Sequence, residues 1–419
     1  YQYGTNIDAR FADLILPGPY IATETLSGSD NVTAFAEFDD KLYTLAGRYV
    51  YCSDGTTKDL GEGVAGYSLT VFGEALYVGC GYSDEVQYLD EDGWHTATDI
   101  YFKQAVAGSD RLYAATGGMD PVDPKPNVLQ LVAEGADPTI EANWTAQYYA
   151  GHAGSDIISL SMLGELLCIG KEDGLHMFDN SYEAVPVTPE LAMYHDESNC
   201  ANMITWHGRV FIPHKRGLLR YSLVGDGIWR VDAVGPGRDA SDDNPVRGRV
   251  TALAGDDSWL YAALLTEGGD THILAGRETQ DGMLWHTWAY VEDTECGALA
   301  VMFESDEPRL YLGLGSNQGY IELPGHGDNP LPSSRARYAT TGKIVFPQHS
   351  WYAPTSEKVW KGIRIESIGL SDTTYLSVFY RIDDGDWISV GRATESPIHA
   401  FSLGKVGVNG KRIEVRIDY

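Results

Sequence analysis

The sequence predicts an all-β chain: a seven-bladed β-propeller followed by a small antiparallel β-sandwich. Three observations lead there. A two-strand unit recurs seven times; Asp-Gly turns followed by tryptophan close several of the units; and the apolar runs alternate or last five to seven residues before a turn signal, which is strand rather than helix behaviour. With 47 glycines, 26 tyrosines and 10 tryptophans in 419 residues, the composition also favours turns and strands.

Each unit is an apolar run, a short polar or glycine turn, then Leu-Tyr or a close equivalent. The first is residues 32–36, the turn Asp39-Asp40 and Leu42-Tyr43. The next are 69–72 with Leu76-Tyr77, 105–107 with Leu112-Tyr113, and 158–163 with Leu166-Leu167. They continue as 203–206 with Val210-Phe211, 250–254 with Leu260-Tyr261, and 298–303 with Leu310-Tyr311. Anchors at 42, 76, 112, 166, 210, 260 and 310 lie 34 to 54 residues apart, near the ~40–50 residues of a four-stranded blade. Asp92-Gly93 before Trp94, Asp226-Gly227 before Trp229 and Asp281-Gly282 before Trp285 mark the outer hairpins. Alanines at 34, 36, 105, 107, 252, 254, 298 and 300 fall in the first strand of their units, where an innermost strand has least room. A six-blade count follows if one unit is misread.

The seventh unit meets a Gly/Pro-rich stretch at 324–332, so its fourth strand is expected from the N-terminal segment, with 11–16 as the strand-like run. The expected organisation is an N-terminal segment at 1–30, a propeller at 31–332 and a sandwich at 333–419. Strand-like runs at 343–346, 360–365, 375–382, 387–390 and 413–417 build the sandwich, with 383–386 as a hairpin. Its last strand runs to the final residue, so the sandwich reads as cut, with a piece either missing or supplied by a neighbouring subunit.

Sixty Asp+Glu against 30 Lys+Arg give a formal charge of −30, which opposes nucleic-acid binding. No apolar window reaches the length of a membrane-crossing helix. Cys52, Cys80, Cys168, Cys200 and Cys296 are odd in number and form no CxxC, so buried free thiols are expected.

HExxH, G-x-S-x-G and P-loop signatures are absent, and no catalytic residue, metal site or cofactor is predicted. The densest group of histidines and acids is His195, Asp196, Glu197, His207 and His214, and surface or turn positions account for it better than a metal. Turn chemistry likewise explains Asp383, Asp384 and Asp386. The loops 119–127 and 235–248 are candidates for partner contact. If the chain binds glycans, Trp94, Trp144, Trp229 and Trp285 are the candidate stacking residues, with outer-strand packing the favoured role for them.

Leu-Tyr repeats followed by Glu357-Lys358-Val359-Trp360, then Val378-Phe379-Tyr380-Arg381-Ile382-Asp383-Asp384-Gly385-Asp386-Trp387, and ending Gly410-Lys411-Arg412-Ile413-Glu414-Val415-Arg416-Ile417, resemble structural proteins of tailed bacteriophages. The resemblance implies a virion tail component, a rigid adaptor or host-facing platform. It implies other virion proteins as partners, a homo-oligomer within a larger assembly, and host-surface glycan as a further contact. It carries over no catalytic or binding residue. Two alternatives stay open: a secreted, lectin-like propeller, and a glycan-cleaving propeller enzyme with paired carboxylates in a cleft.

Overall fold

The computed structural model describes residues 3–10, 14–28, 30–178, 184–188, 196, 198–215, 217–224, 228–236, 246–280, 282–304, 307–324, 337–350 and 352–419. Seven four-stranded antiparallel sheets follow one another along the chain. Blade I comprises Val32–Phe38, Lys41–Ala46, Tyr49–Cys52 and Thr57–Asp59. The first strands of blades II to VII are Ser68–Phe72, Gln104–Ala107, Ile157–Leu163, Ile204–Trp206, Gly248–Gly255 and Cys296–Glu304. These first strands neighbour one another around the ring and form its inner wall. Each Leu-Tyr anchor enters the second strand, as in Lys41–Ala46 and Leu260–Thr266. The architecture is a seven-bladed propeller with a C-terminal sandwich.

Local chemistry sets these hairpins. Asp39 and Asp40 both take positive φ (51° and 56°), as a two-residue turn between twisted strands requires. Gly93, at φ 115°, opens the outer strand of blade II. Asp226, Gly227 and Asp281, from the other two expected hairpins, lie outside the described residues.

Neighbouring blades bury their apolar faces against each other in seven clusters, one per interface. Trp288, Tyr261 and Phe102 are among the largest fully buried side chains, each contributing about 2–3 kcal/mol by burial. Six of the eight inner-strand alanines lie in or against these clusters, with Ala252 and Ala254 between blades VI and VII; Ala107 and Ala300 do not. The seam between blades VII and I is thinnest: Leu26, Val32, Ala46, Tyr51 and Ala298 form its buried cluster, five residues against eight to fourteen elsewhere among the described residues.

Hydroxyls add a second, polar connection between blades. In blade II, Ser68 donates to the Lys103 carbonyl (3.1 Å) and Thr70 to that of Ala105 (3.0 Å). In blade IV, Ser159 donates to the Cys200 carbonyl and Ser161 pairs with Thr205 (2.8 Å). In blade VI, Thr251 reaches the Cys296 carbonyl of blade VII (2.6 Å). All but the Ser161–Thr205 hydroxyl pair satisfy a backbone carbonyl at the blade interface.

The N-terminal segment closes the ring, but with a different strand from the one expected. Ala22–Thr25, not the run at 11–16, pairs antiparallel with Asn317–Glu322 as the outermost strand of blade VII. Leu16–Pro17 instead pairs with Ile7–Asp8, Leu14 and Ile15 are exposed, and 11–13 lie outside the described residues. An outermost strand needs only one partner and one covered face, so the polar Ala-Thr-Glu-Thr serves where an apolar run is unnecessary.

The sandwich's main sheet runs Tyr3–Thr5, Lys343–Val345, Ile413–Asp418, Leu376–Ile382, Ile388–Ala393. Two ribbons, Lys358–Trp360 with Val408–Gly410 and Gly362–Glu366 with Ile398–Ser402, form the rest of the module. Ile413–Asp418 is central, with both edges paired inside this chain, and the edge strand beside Lys343–Val345 comes from the N-terminus.

Candidate functional site

Residues 3–10 and 14–25 tie the propeller to the sandwich. Tyr3–Thr5 joins the sandwich sheet, and Asn6 then bonds both modules. Its side-chain oxygen accepts from the Tyr290 amide of blade VI (2.9 Å), and its amide donates to the Thr341 carbonyl (3.1 Å). Two residues on, Asp8 holds Arg10 through Nε (3.0 and 3.2 Å) and Nη2 (2.8 Å), and accepts from the Trp288 indole (3.2 Å). The guanidinium lies 4.4 Å from the Trp288 ring and 5.4 Å from that of Trp259. Both charged side chains are almost fully buried in blade VI. The chain then doubles back. Gly18 donates to the Asn6 carbonyl (2.5 Å) and to the Tyr419 hydroxyl (3.1 Å), which itself donates to the Asn6 carbonyl. Tyr20 and Ala339 continue the contact with the 337–339 segment before Ala22–Thr25 enters blade VII.

Large apolar side chains stand in solvent on the sandwich. Tyr352 is 96% exposed, Ile368 88% and Val406 84%, with Val359 about half exposed. Val359 and the 406–407 turn are neighbours on the ribbon Lys358–Trp360/Val408–Gly410, because Gly407 lies against the Val359 side chain.

A cavity of about 490 Å³ with a mixed polar and apolar lining opens at the mouth of the axial channel. Tyr67, Gln104, Asn202 and Glu172 contribute to its wall, and Lys103 pairs there with Asp156 at 2.5 Å. Beside it, Lys171 is wholly buried and donates to the carbonyls of Ala150 and His152, both at 2.7 Å. Burial lowers its pKa below 10.5, while Asp173, Asp156 and Glu172 pull the other way.

The four candidate tryptophans are not brought together. They stand on blades II, III, V and VI, in or next to the outer strands. Trp94 is partly buried with Lys58 5.8 Å from its ring. Trp144 is buried and donates to the Pro138 carbonyl (3.0 Å). Trp229 stacks on Tyr221 (4.8 Å, 5°), and Trp285 donates to the Val234 carbonyl (2.8 Å).

The other sequence-level candidates also resolve into local structure. Asp383 accepts from the amides of Lys411 and Arg412, and Asp384 pairs with Arg412 (2.6 Å). His207 stacks on Trp206 (3.9 Å), Asp196 accepts from Ser198, and His195 and Glu197 lie outside the described residues. Among the described residues no three His, Cys, Asp or Glu side chains are grouped as a metal requires. All five cysteines are buried and unpaired. Burial pushes the thiols of Cys168, Cys200 and Cys296 up to about 12, so they remain protonated and unreactive near neutrality. Of the two candidate loops, 119–127 is held by Asp120, which accepts from the amides of Val122 (3.0 Å) and Asp123 (3.2 Å); most of 235–248 lies outside the described residues.

No family model matches the chain, and no curated protein does. Solved structures are similar in fold. The extracellular domain of a candidate one-component system from B. thetaiotaomicron matches with TM-score 0.52 and 12% identity, over 90% of this chain and 48% of that one. A chain of a mitotic checkpoint complex matches with TM-score 0.51 and 12% identity, over 73% of this chain and 95% of that one. This chain therefore spans about half the length of the bacterial domain it matches. At such identities the likeness is one of fold: this is a β-propeller.

Proposed function

We propose that the chain is a non-catalytic structural platform, a tail-type component of a bacteriophage particle, whose sandwich docks on neighbouring particle proteins while the propeller faces outward. The observation that carries this reading is the apolar ribbon end where half-exposed Val359 neighbours the 406–407 turn, with Val406 84% exposed. Tyr352 and Ile368, each more than four-fifths exposed, add apolar side chains on the same module, and exposed apolar surface of this kind supports a contact site. The N-terminal segment supports it further, because a module fixed through Asn6, Asp8 and Arg10 can transmit position from one end of the chain to the other. The phage setting rests on the sequence resemblance.

Electron microscopy of the protein purified from its native source tests the proposal. It predicts a repeated subunit of a phage-like particle, with the Val359/Val406 ribbon against a neighbour. A free monomer in that material overturns it. Val406→Asp adds a control: it should abolish incorporation into the particle while leaving the isolated chain folded.

A further inference from the structure

We infer that the seam between blades VII and I is a binding site for a neutral saccharide. A groove of about 410 Å³ opens there, within the roughly 300–1,000 Å³ typical of small-molecule sites. It lies at the interface with the smallest buried apolar cluster, so the space between these two blades is filled less by hydrocarbon than at any other junction among the described residues.

The walls differ in chemistry. Blade I contributes hydroxyls, including Thr44 and Thr57, and blade VII contributes Tyr320 with Arg309 stacked 4.4 Å from its ring. The third wall is the closing strand itself, with the Glu24 carboxylate. A hydrogen-bond relay crosses the groove: buried Thr44 donates to Gln318 Oε1 (2.7 Å), and Gln318 Nε2 donates to Glu24 Oε2 (2.7 Å). The relay fixes the amide and leaves the second Glu24 oxygen as an oriented acceptor.

This set of groups selects by exclusion. An apolar ligand would strand the hydroxyls and the carboxylate without partners. The groove carries one charge of each sign, Glu24 and Arg309, and Arg309 lies 3.9 Å from Glu322, so neither an anion nor a cation meets a wall of opposite charge. A neutral polyol meets both donors and acceptors through its hydroxyls and lays its C–H face on tyrosine. The inference stands on the seam alone and does not depend on the sandwich docking proposed above.

One consequence separates this site from any other surface groove. Glu24 belongs to the strand that closes the ring, so a ligand held between blade I and Glu24 spans the closure. It must bind the closed ring in preference to the open one, and it raises the unfolding temperature by mass action.

The test is an array of neutral glycans, followed by calorimetry and thermal unfolding with free glucose, galactose, mannose and N-acetylglucosamine. The expected result is binding of a neutral saccharide with a concentration-dependent rise in unfolding temperature. Tyr320→Ala should weaken it about tenfold. Because Tyr320→Ala also removes the Arg309 stacking partner and can perturb the blade, Glu24→Gln serves as the second variant: it keeps an oxygen for Gln318 and should also weaken binding about tenfold. The inference is overturned if no neutral saccharide binds, if anionic glycans bind tightest, or if binding survives both substitutions unchanged.

Discussion

Acidification should weaken this fold through His272, and the structure sets both the sign and the size. His272 lies on the third strand of blade VI, Thr271–Thr279, is 3% exposed, and packs against Tyr290 (ring centroids 5.1 Å). Among the described residues its Nδ1 has no hydrogen-bond partner. Burial pushes its pKa from 6.5 down to about 4; Lys343 of the sandwich adds to this, and Asp270 opposes it. A lowered histidine pKa means that the native state refuses a proton the unfolded chain accepts. Above about pH 6.5 neither state is protonated and there is no penalty. Between about 6.5 and about 4 the unfolded chain gains a proton alone, costing about 1.36 kcal/mol per pH unit, and below about 4 the loss levels off. The total is about 3 kcal/mol. Urea unfolding of the wild type and His272→Phe, compared from about pH 7 to about pH 4, isolates this term, because the remaining histidines contribute equally to both. The variant should lose about 3 kcal/mol less over that window. Parallel stability curves for the two proteins would refute the reasoning.

Three further changes test the packing. Asp8→Asn leaves the Arg10 guanidinium buried beside Trp288 without its counter-charge and should cost about 3–5 kcal/mol, read as a lowered urea midpoint. Lys171→Met keeps the side-chain volume but strips the Ala150 and His152 carbonyls of their donor, for a loss of about 1–3 kcal/mol by the same measurement. Gly18→Ala drives a methyl into the backbone of Asn6 and the Trp288 carbonyl, neither of which can move aside, and should lower the thermal midpoint at a cost of about 3 kcal/mol.

The propeller was legible because its repeat is written in local chemistry. Leu42-Tyr43, Leu76-Tyr77 and Leu260-Tyr261 each enter a second strand, and the turns before them carry the residues that tight hairpins need. The closing strand was misplaced for a physical reason: Ala22–Thr25 buries little, so it carries no apolar signature, while the apolar Leu14 and Ile15 that drew attention are exposed. The junction between modules left no local trace either, since Asn6, Asp8 and Arg10 find their partners nearly three hundred residues or more away or within their own turn. A usable signal did exist in the inner strands. The alternating Ser68-Leu69-Thr70 and Ser159-Leu160-Ser161 place hydroxyls toward the next blade, as their bonds to Lys103, Ala105, Cys200 and Thr205 show. The candidate tryptophans pack as the favoured outer-strand reading expected. Trp144 and Trp285 use their indole N–H groups on backbone carbonyls and cover blade edges, whereas Tyr320 lines an open groove.

Residues 3–10 and 14–25 tie the sandwich to the propeller, and the proposed platform role requires the two modules to hold one fixed arrangement. That requirement is tested most directly by the distance between spin labels at Asp92→Cys on blade II and Asp372→Cys on the sandwich, both exposed, while the five native cysteines are buried. The account predicts one narrow distance distribution that broadens when Asp8→Asn breaks the buried pair with Arg10. A broad or multi-peaked distribution in the otherwise unaltered chain would contradict it.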